Sequence, residues 1–592
     1  MAPSAIDPPS VTTPSSGGGG GYRILVPEKL SPEGLSLLRG AGFTVDTPTP
    51  RPSPAELLRI IPQYHALIVR SETKVTAEVL SAAGSKLRVV ARAGVGVDNI
   101  DVDAATKRGV IVVNSPSGNI VAAAEHTIAL LLAVARNVGR ADKGMKEGKW
   151  ERGKLVGVEV GGKTLGVIGF GKVGMKVARM AKGLGMNVVV FDPYASAEVA
   201  RQAGVELKTE LDRVVKEVDF LTVHTPLLAS TLNLIGEKEF RSMKPTARVL
   251  NVARGGVYNE EALLKALDEG WIAGAGLDVF TSEPPVEGST AAKLAAHPKV
   301  VSTPHLGAST VEAQENVSMD VCKQVVAILS GGLPTAAVNA PLILPEEYRR
   351  LQPFVKLVER MGSLYTQHFA GERGGMVGGR RFELVYHGEL ASVNNTRPLL
   401  AALVKGLVSS ISNLGGRDVN IVNATLVAKE RGIIIDEKHV RDGGGAVVPT
   451  YASAVTLRSV SEVGEDATDG EQVIEGYVSG RAVYISKLGR FTANFQPEGT
   501  LLILHNYDEP GKIGNVGSVL GRHGVNINSM QVAPLQESRN GTESDDSSVA
   551  DSEGRAANEA LMILGVTGDI TPTVLEELGK SEGILHVNLV RL

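Results

Sequence analysis

Three polar side chains in the middle of the chain stand just past short apolar runs, where buried strands would end: Arg254, Glu283 and His305. Their types suit one reaction. Taking hydride from an alcohol needs a base for the hydroxyl proton, and histidine titrates nearest neutral pH. A carboxylate beside that histidine favours its imidazolium. A guanidinium can clamp a substrate carboxylate bidentately and polarise the adjacent oxygen. Taken singly, each also has an ordinary role: a satisfied loop histidine, a turn-capping or ion-paired arginine, an exposed charge ahead of Pro284 and Pro285. Spacing alone does not join them.

The hydride acceptor is written into residues 163–192, KTLGVIGFGKVGMKVARMAKGLGMNVVVFD. An apolar run at 164–168 reads as a strand. Gly169-Phe170-Gly171-Lys172-Val173-Gly174 turns into an amphipathic helix, and 186–191 reads as a second strand ending at Asp192. Strand, glycine turn, helix, strand, acid is the dinucleotide-binding unit. Gly169 permits the tight turn, Gly171 lets backbone N–H groups approach a pyrophosphate, and Gly174 allows close helix–strand packing. Asp192 can accept hydrogen bonds from a ribose diol and repels a 2′-phosphate, and neither Pro193 nor Tyr194 brings a neutralising cation. NAD is favoured over NADP.

These residues require a scaffold of parallel strands. Strands are predicted at 22–27, 66–69, 87–92 and 110–114, alternating with helices at 31–39, 76–83 and 102–108, so a first α/β domain precedes the cofactor unit. One long helix, 121–139, would cross to the second domain. Strands at 220–224, 248–252, 273–278 and 300–302 then deliver three clusters to one sheet edge: NVARGG (251–256), GLDVF (276–280) with Glu283, and TPHLG (303–307). A helix at 309–330 would return the chain to the first domain. Beyond residue 340 the spacing predicts a helix at 346–369, strands at 382–386, 419–422 and 477–485, and a helix at 396–411. The last hundred residues read as a βαββαβ, ferredoxin-like domain interrupted by an acidic, Ser-rich stretch, 536–558, expected to be a disordered insertion.

A chain of 592 residues needs several cores, and 43% hydrophobic with 21% charged residues is ordinary for a globular protein. A net charge of −4 gives no footprint for nucleic acid, and the longest apolar run is too short for a membrane span. The single cysteine, Cys322, excludes an internal disulfide or a cysteine metal cluster; no metal is expected. Residues 1–21 read as a disordered leader without an apolar segment or Arg, so cytoplasm is expected, with organelle import left open.

ARAGVGVDNID (91–101), GFGKVG with its trailing FDP, HTPL (224–227), NVARGG, GLDVFTSEPP and TPHLGAST together resemble the D-2-hydroxyacid dehydrogenase family, in its long branch with an intervening and an ACT domain. The resemblance implies a Rossmann-type NAD domain (121–305) inserted in a flavodoxin-like substrate domain (22–120 and 306–340), then an α+β intervening domain (345–495) and an ACT domain (498–592). It implies Arg254, Glu283 and His305 as the catalytic trio. It also implies NAD contacts at Val95, Lys172, Val173, Asp192, Thr225, Val252, Ala253, Arg254, Asp278, His305, Leu306, Gly307 and Ala308. Arg70, Ser71, Arg92 and Gly94 would face the substrate, implied to be D-3-phosphoglycerate, oxidised to 3-phosphooxypyruvate at the start of L-serine synthesis. L-serine is implied as an effector near Asn506, Asp508 and Asn526, between paired domains of a homodimer or homotetramer. Two rivals stand beside this reading: a sister dehydrogenase for glycerate or glyoxylate, and a NAD-sensing binding protein on the same scaffold.

Overall fold

The computed structural model describes residues 21–341, 343, 345–370, 380–393, 395–412, 415–416, 419–440, 452–460, 472–535 and 559–592. The expected leader, but for Gly21, and the expected insertion 536–558 lie outside these residues. The described chain groups into two units: one of the chain up to Lys74 with Ala91–Ile100 and Val113–Ser330, the other of Val75–Val90, Asp101–Val112 and Gly331–Leu592.

Strands β1 (Arg23–Leu25), β2 (Thr44–Asp46), β3 (Ala66–Val69), β4 (Val89–Arg92) and β5 (Ile111–Asn114) form a sheet in the order β2-β1-β3-β4-β5, the flavodoxin-like order. The helix Pro32–Gly40 starts as its sequence dictates: Ser31 accepts from Gly34 N and Pro32 opens the first turn. Helix Val311–Leu329 packs on this region. It buries Cys322 near Gly34, accepts from Ser115 at Asp320 (2.7 Å) and donates from Gln324 to the Asn114 carbonyl (2.9 Å).

The second sheet comprises β6 (Thr164–Ile168), β7 (Asn187–Phe191), β8 (Glu206–Lys208), β9 (Phe220–Val223), β10 (Arg248–Asn251), β11 (Gly274–Leu277) and β12 (Val300–Ser302). Its order is β12-β11-β10-β9-β6-β7-β8, all parallel, the Rossmann order with its switch between β6 and β9. Along β7, Val188 and Val190 enter one core and Val189 the other, so the strand is apolar throughout. The helix expected at 121–139 is instead two, Ile120–Ala135 and Val138–Lys146, bent by 67°. Asn137 breaks it by taking a left-handed φ of 55° and donating its side chain to the Val156 carbonyl (3.2 Å). Among the described residues no single helix is long and apolar enough to cross a membrane.

In the second unit, β13 (Arg381–Gly388), β14 (Ile434–Val440), β15 (Ser453–Val460), β16 (Val473–Ser479), β17 (Ala482–Leu488) and β18 (Phe491–Phe495) make a mixed sheet, β14-β13-β15-β16-β17-β18. Two sequence expectations are corrected there. Residues 419–422 are a turn, not a strand, because Asn420 and Asn423 accept hydrogen bonds from the nearby Val422 and Asn420 N–H groups. The strand expected at 477–485 is the hairpin β16–β17, turned at Gly480 with φ 61°.

The last four strands, β19 (Thr500–Tyr507), β20 (Asn526–Pro534), β21 (Glu559–Thr567) and β22 (Ile584–Arg591), pair antiparallel as β20-β21-β19-β22, the ferredoxin-like order. Its two faces serve two cores. Leu502, Leu504, Met562 and Leu564 pack under the helices Lys512–Arg522 and Pro572–Gly579. Leu501, Ile503, Leu561 and Ile563 pack instead in the core of β13–β18 and the helix Pro345–Tyr365.

That helix ends in a π-helical turn, Thr366–Ala370, which grips β22: Gln367 exchanges two hydrogen bonds with the Arg591 backbone (2.9 and 2.8 Å), and Asn588 meets His368 Nδ1 at 3.0 Å. Burial, then the nearby His586 and His505, pushes the His368 pKa from 6.5 down to about 4. The unfolded chain therefore takes up a proton below pH 6.5 that the folded ring refuses. Stability from this site is fully present above about 6.5 and is lost as pH falls toward 4, a loss on the order of 3 kcal/mol. Melting curves across that window should show His368→Gln with a shallower decline than wild type.

Candidate active site

The seven-stranded parallel sheet brings the sequence-selected loops to one edge. At its switch point, Gly169 takes φ 90°, and a Cβ there would lie 2.7 Å from the His224 carbonyl oxygen of the neighbouring loop; only glycine fits. The helix Lys172–Gly183 begins immediately after, with open space around Gly171 and Gly174 buried against the turn. Asp192, ending β7, accepts from Phe170 N (2.7 Å) and Tyr194 N (2.8 Å), which holds the acid beside the glycine turn. Thr225 Oγ1, on the adjoining loop, is buried without a partner. A helix N-terminus, a fixed carboxylate and an orphaned hydroxyl in one crevice fit a dinucleotide. Lys172 is exposed and donates to Ser117 Oγ (2.9 Å), Val173 flanks it on the helix, and Val95 is exposed with its carbonyl accepting from Asn114. Asp192→Ala is expected to raise the KM for NAD about tenfold and cut its preference over NADP by about 10²-fold, the size of lost charge-assisted bonds to a ribose. Kinetics with both cofactors check this.

Arg254, Glu283 and His305 follow β10, β11 and β12, three adjacent strands. His305 Nδ1 meets Glu283 Oε2 at 2.7 Å, and Glu283 Oε1 accepts from Phe280 N at 3.0 Å. Burial pushes the Glu283 carboxyl up, but the bonds from His305 and Phe280 outweigh it, and its pKa lies below the ordinary value. The ring's Nδ1 is thus occupied and Nε2 is the nitrogen left for a substrate. His305 itself has a left-handed backbone, φ 55°. Arg254 lies on a turn shaped by the buried Asn251, which donates to the Arg254 carbonyl (2.8 Å) and accepts from Ala253 N (3.0 Å). A Cβ on the next residue, Gly255, would strike the Phe280 carbonyl at 2.1 Å, so glycine alone lets the Arg254 turn reach the loop carrying Glu283.

The Arg254 guanidinium crosses to the segment 91–101, with Nε 3.3 Å from Asp98 Oδ2. Arg92, on the same segment, lies over Gly94 and donates to Asn99 Oδ1 (3.1 Å). Burial, then the positive charge of Arg254, pushes its pKa down to about 10, and Arg70 adds to this. Three arginines therefore converge on one region. The loop bearing Arg70 and the exposed Ser71 is clamped from both sides: Glu28 accepts from the N–H groups of Arg70, Glu72 and Thr73, and Asn99 donates to the carbonyls of Arg70 and Thr73.

Asp278 is buried and accepts from Thr303 Oγ1 (2.5 Å), Leu306 N (2.7 Å) and Gly307 N (2.8 Å), so it shapes the turn that carries His305 and Ala308. Val252 lies within 3.0 Å of where a Gly307 Cβ would be. Glu28, Asp98, Asn99, His126 and Thr303 went unselected in the sequence. Asp98 and Asn99 sit inside a segment already marked by resemblance, and Glu28 follows the first strand, a position that carries function in parallel sheets.

The three effector candidates are not brought together within one chain. Asn506 is buried on β19 with Oδ1 unpartnered, Asp508 is exposed, and the exposed Asn526 donates to Asn528. Asn506 pairs opposite Ala560 and Asn526 opposite Thr567, a separation of roughly 23 Å along β21.

Known families agree with this geometry. Residues 128–307 match the D-isomer specific 2-hydroxyacid dehydrogenase NAD binding domain, and residues 350–482 match the D-3-phosphoglycerate dehydrogenase intervening domain. The chain is 44% identical to D-3-phosphoglycerate dehydrogenase 2, chloroplastic, of Arabidopsis thaliana, over 96% of this chain and 87% of that one. It is 40% identical to the D-3-phosphoglycerate dehydrogenase of Archaeoglobus fulgidus, over 96% and 100%, and 36% identical to that of Bacillus subtilis, over the same shares. The chain belongs to the D-3-phosphoglycerate dehydrogenase family of NAD-binding, D-isomer-specific 2-hydroxyacid dehydrogenases.

Proposed function

We propose that the protein oxidises D-3-phosphoglycerate to 3-phosphooxypyruvate with NAD, opening the phosphorylated route to L-serine. Bound NAD supplies the acceptor for the C2 hydride. His305 Nε2 takes the C2 hydroxyl proton, and Glu283 on Nδ1 holds the ring and stabilises the imidazolium that forms. Arg254 binds the substrate carboxylate and C2 oxygen. Arg70, Ser71 and Arg92, with the Gly94 backbone, receive the remaining anion, the phosphate. The NAD site comprises the glycine turn with Lys172 and Val173, Asp192, Thr225, Val95, residues 252–254, Asp278 and 305–308. In this assignment residues 22–120 and 306–340 carry substrate groups, 121–305 NAD, 345–495 the intervening part and 498–592 the ACT regulatory part.

The observation that carries the reading is the 2.7 Å His305–Glu283 pair beside a convergence of three arginines. A base suits any 2-hydroxy acid; a doubly anionic substrate is what rewards so much positive charge, which disfavours glycerate and glyoxylate. We also propose a homodimer or homotetramer in which L-serine binds between paired C-terminal sheets, at Asn506 and Asp508 of one copy and Asn526 of another. The unpartnered Asn506 Oδ1 supports this placement. A reducing compartment, the cytoplasm or an organelle that imports the chain, is proposed on the single, buried, unpaired cysteine.

Purified protein should reduce NAD with 3-phosphoglycerate at least about 10²-fold faster than with glycerate at equal concentration, the discrimination expected where buried charges lose their partner. Comparable rates would shift the reading to a sister dehydrogenase. NADH binding without turnover of any 2-hydroxy acid would leave the sensor reading. Saturable inhibition on adding L-serine supports the effector site.

A further inference from the structure

Among the described residues, His126 bonds to the groups that shape the catalytic turn and has no part in the proposed reaction. It stands on the helix Ile120–Ala135, which packs against β10 and β11 through Leu130 and Val134. Its Nε2 lies 3.1 Å from Asp278 Oδ1 and 3.0 Å from Thr303 Oγ1. Burial raises the Asp278 pKa, but bonds from His126, Thr303, Leu306 and Gly307 bring it below the ordinary value, so the carboxylate is ionised and only accepts. Thr303 has one hydroxyl proton and gives it to Asp278 at 2.5 Å. The remaining contact must then be filled by a proton on Nε2 of His126, shared between Asp278 and the Thr303 oxygen. The network admits one tautomer.

Asp278 in turn fixes four contacts of the turn: its carboxylate accepts from Thr303, Leu306 and Gly307, and its backbone carbonyl accepts from His305 N (2.9 Å). His305 needs that fixation. A left-handed backbone at a residue other than glycine is strained and persists only where its surroundings over-determine it. His126 is the part of this network that comes from a helix rather than from a strand end, through a side chain only 18% exposed.

We propose that His126 is a positioning residue for the reaction: its Nε2–H locks Asp278 and Thr303, and through them the strained turn that aims His305. The proposal rests on the reading of His305 as the base. His126→Ala should lower kcat about 30-fold to 100-fold, the usual effect of removing an outer hydrogen-bond partner from a catalytic group. The KM for 3-phosphoglycerate should stay within about threefold, since no substrate-binding group is removed; the NADH dissociation constant, read by fluorescence, rises with the loosened turn, so kcat is compared at saturating NAD. His126→Gln, whose amide can present an N–H over a similar reach, should recover most of kcat. Thr303→Val, which breaks the same node from the turn, should lower kcat at saturating NAD, and the double variant should lose little more than the worse single one.

A His126→Ala enzyme with kcat within about twofold of wild type overturns the proposal. So does a His126→Gln enzyme as impaired as His126→Ala at equal melting temperature. If His126→Ala does not fold, His126→Leu, which fills the volume without presenting an N–H, takes its place: a kcat within about twofold of wild type, or losses additive with Thr303→Val, overturns the proposal. Failure of the base reading is separate, because it shows as turnover retained by His305→Asn whatever His126 variants do.

Discussion

His305→Asn is expected to lower kcat by about 10³-fold or more, the contribution of a well-placed general base. Asparagine is the informative replacement because it tolerates the left-handed backbone that His305 adopts at φ 55°, whereas alanine would add strain to the loss of the ring. The Asp278 bonds to Leu306 N and Gly307 N do not involve the imidazole, so the turn and the NADH affinity should persist. The KM for 3-phosphoglycerate should change little, because the proton is moved only on the way to the transition state. Turnover within about tenfold of wild type would refute the base assignment.

Arg254→Leu should lower kcat/KM for 3-phosphoglycerate by about 10³-fold, with both kcat and KM affected, since the guanidinium is proposed to bind carboxylate in the ground state and charge on the C2 oxygen later. Lysine should recover little, lacking the planar fork. The melting temperature should scarcely move: the partner Asp98 is 67% exposed, and surface pairs of this kind contribute under about 1 kcal/mol. An unchanged kcat/KM with intact folding would remove Arg254 from the site.

The glycine turn, its flanking strands and Asp192 were legible because each local requirement points the same way: apolar runs for strands buried on both faces, glycines where a Cβ cannot fit, an acid at the strand end. The trio was legible as chemistry but not as a cluster, since adjacency of β10, β11 and β12 is a property of the sheet. Glu28, Asn99 and His126 escaped notice for the same reason. The loop that Glu28 and Asn99 clamp lies 42 to 45 and 26 to 29 residues from them, and the partners of His126 lie 152 to 177 residues away. Errors of fold fell at turns: Asn137 ending one helix early, Asn420 and Asn423 turning an apolar-looking stretch away from a strand, and Gly480 folding an expected strand into the hairpin β16–β17. The C-terminal strands were read in order, yet nothing in their alternation told which of two buried faces would meet which core.

That double burial has a dynamic consequence. β19 is paired on both sides, by β21 and β22, and covered on both faces. No local fraying can expose its backbone, so its amides can exchange with deuterated solvent only when the second unit opens as a whole. Residues 500–507 should therefore be the last of that unit to take up deuterium. A ligand that rigidifies the unit would be read most sensitively there, L-serine at the proposed site on Asn506 included.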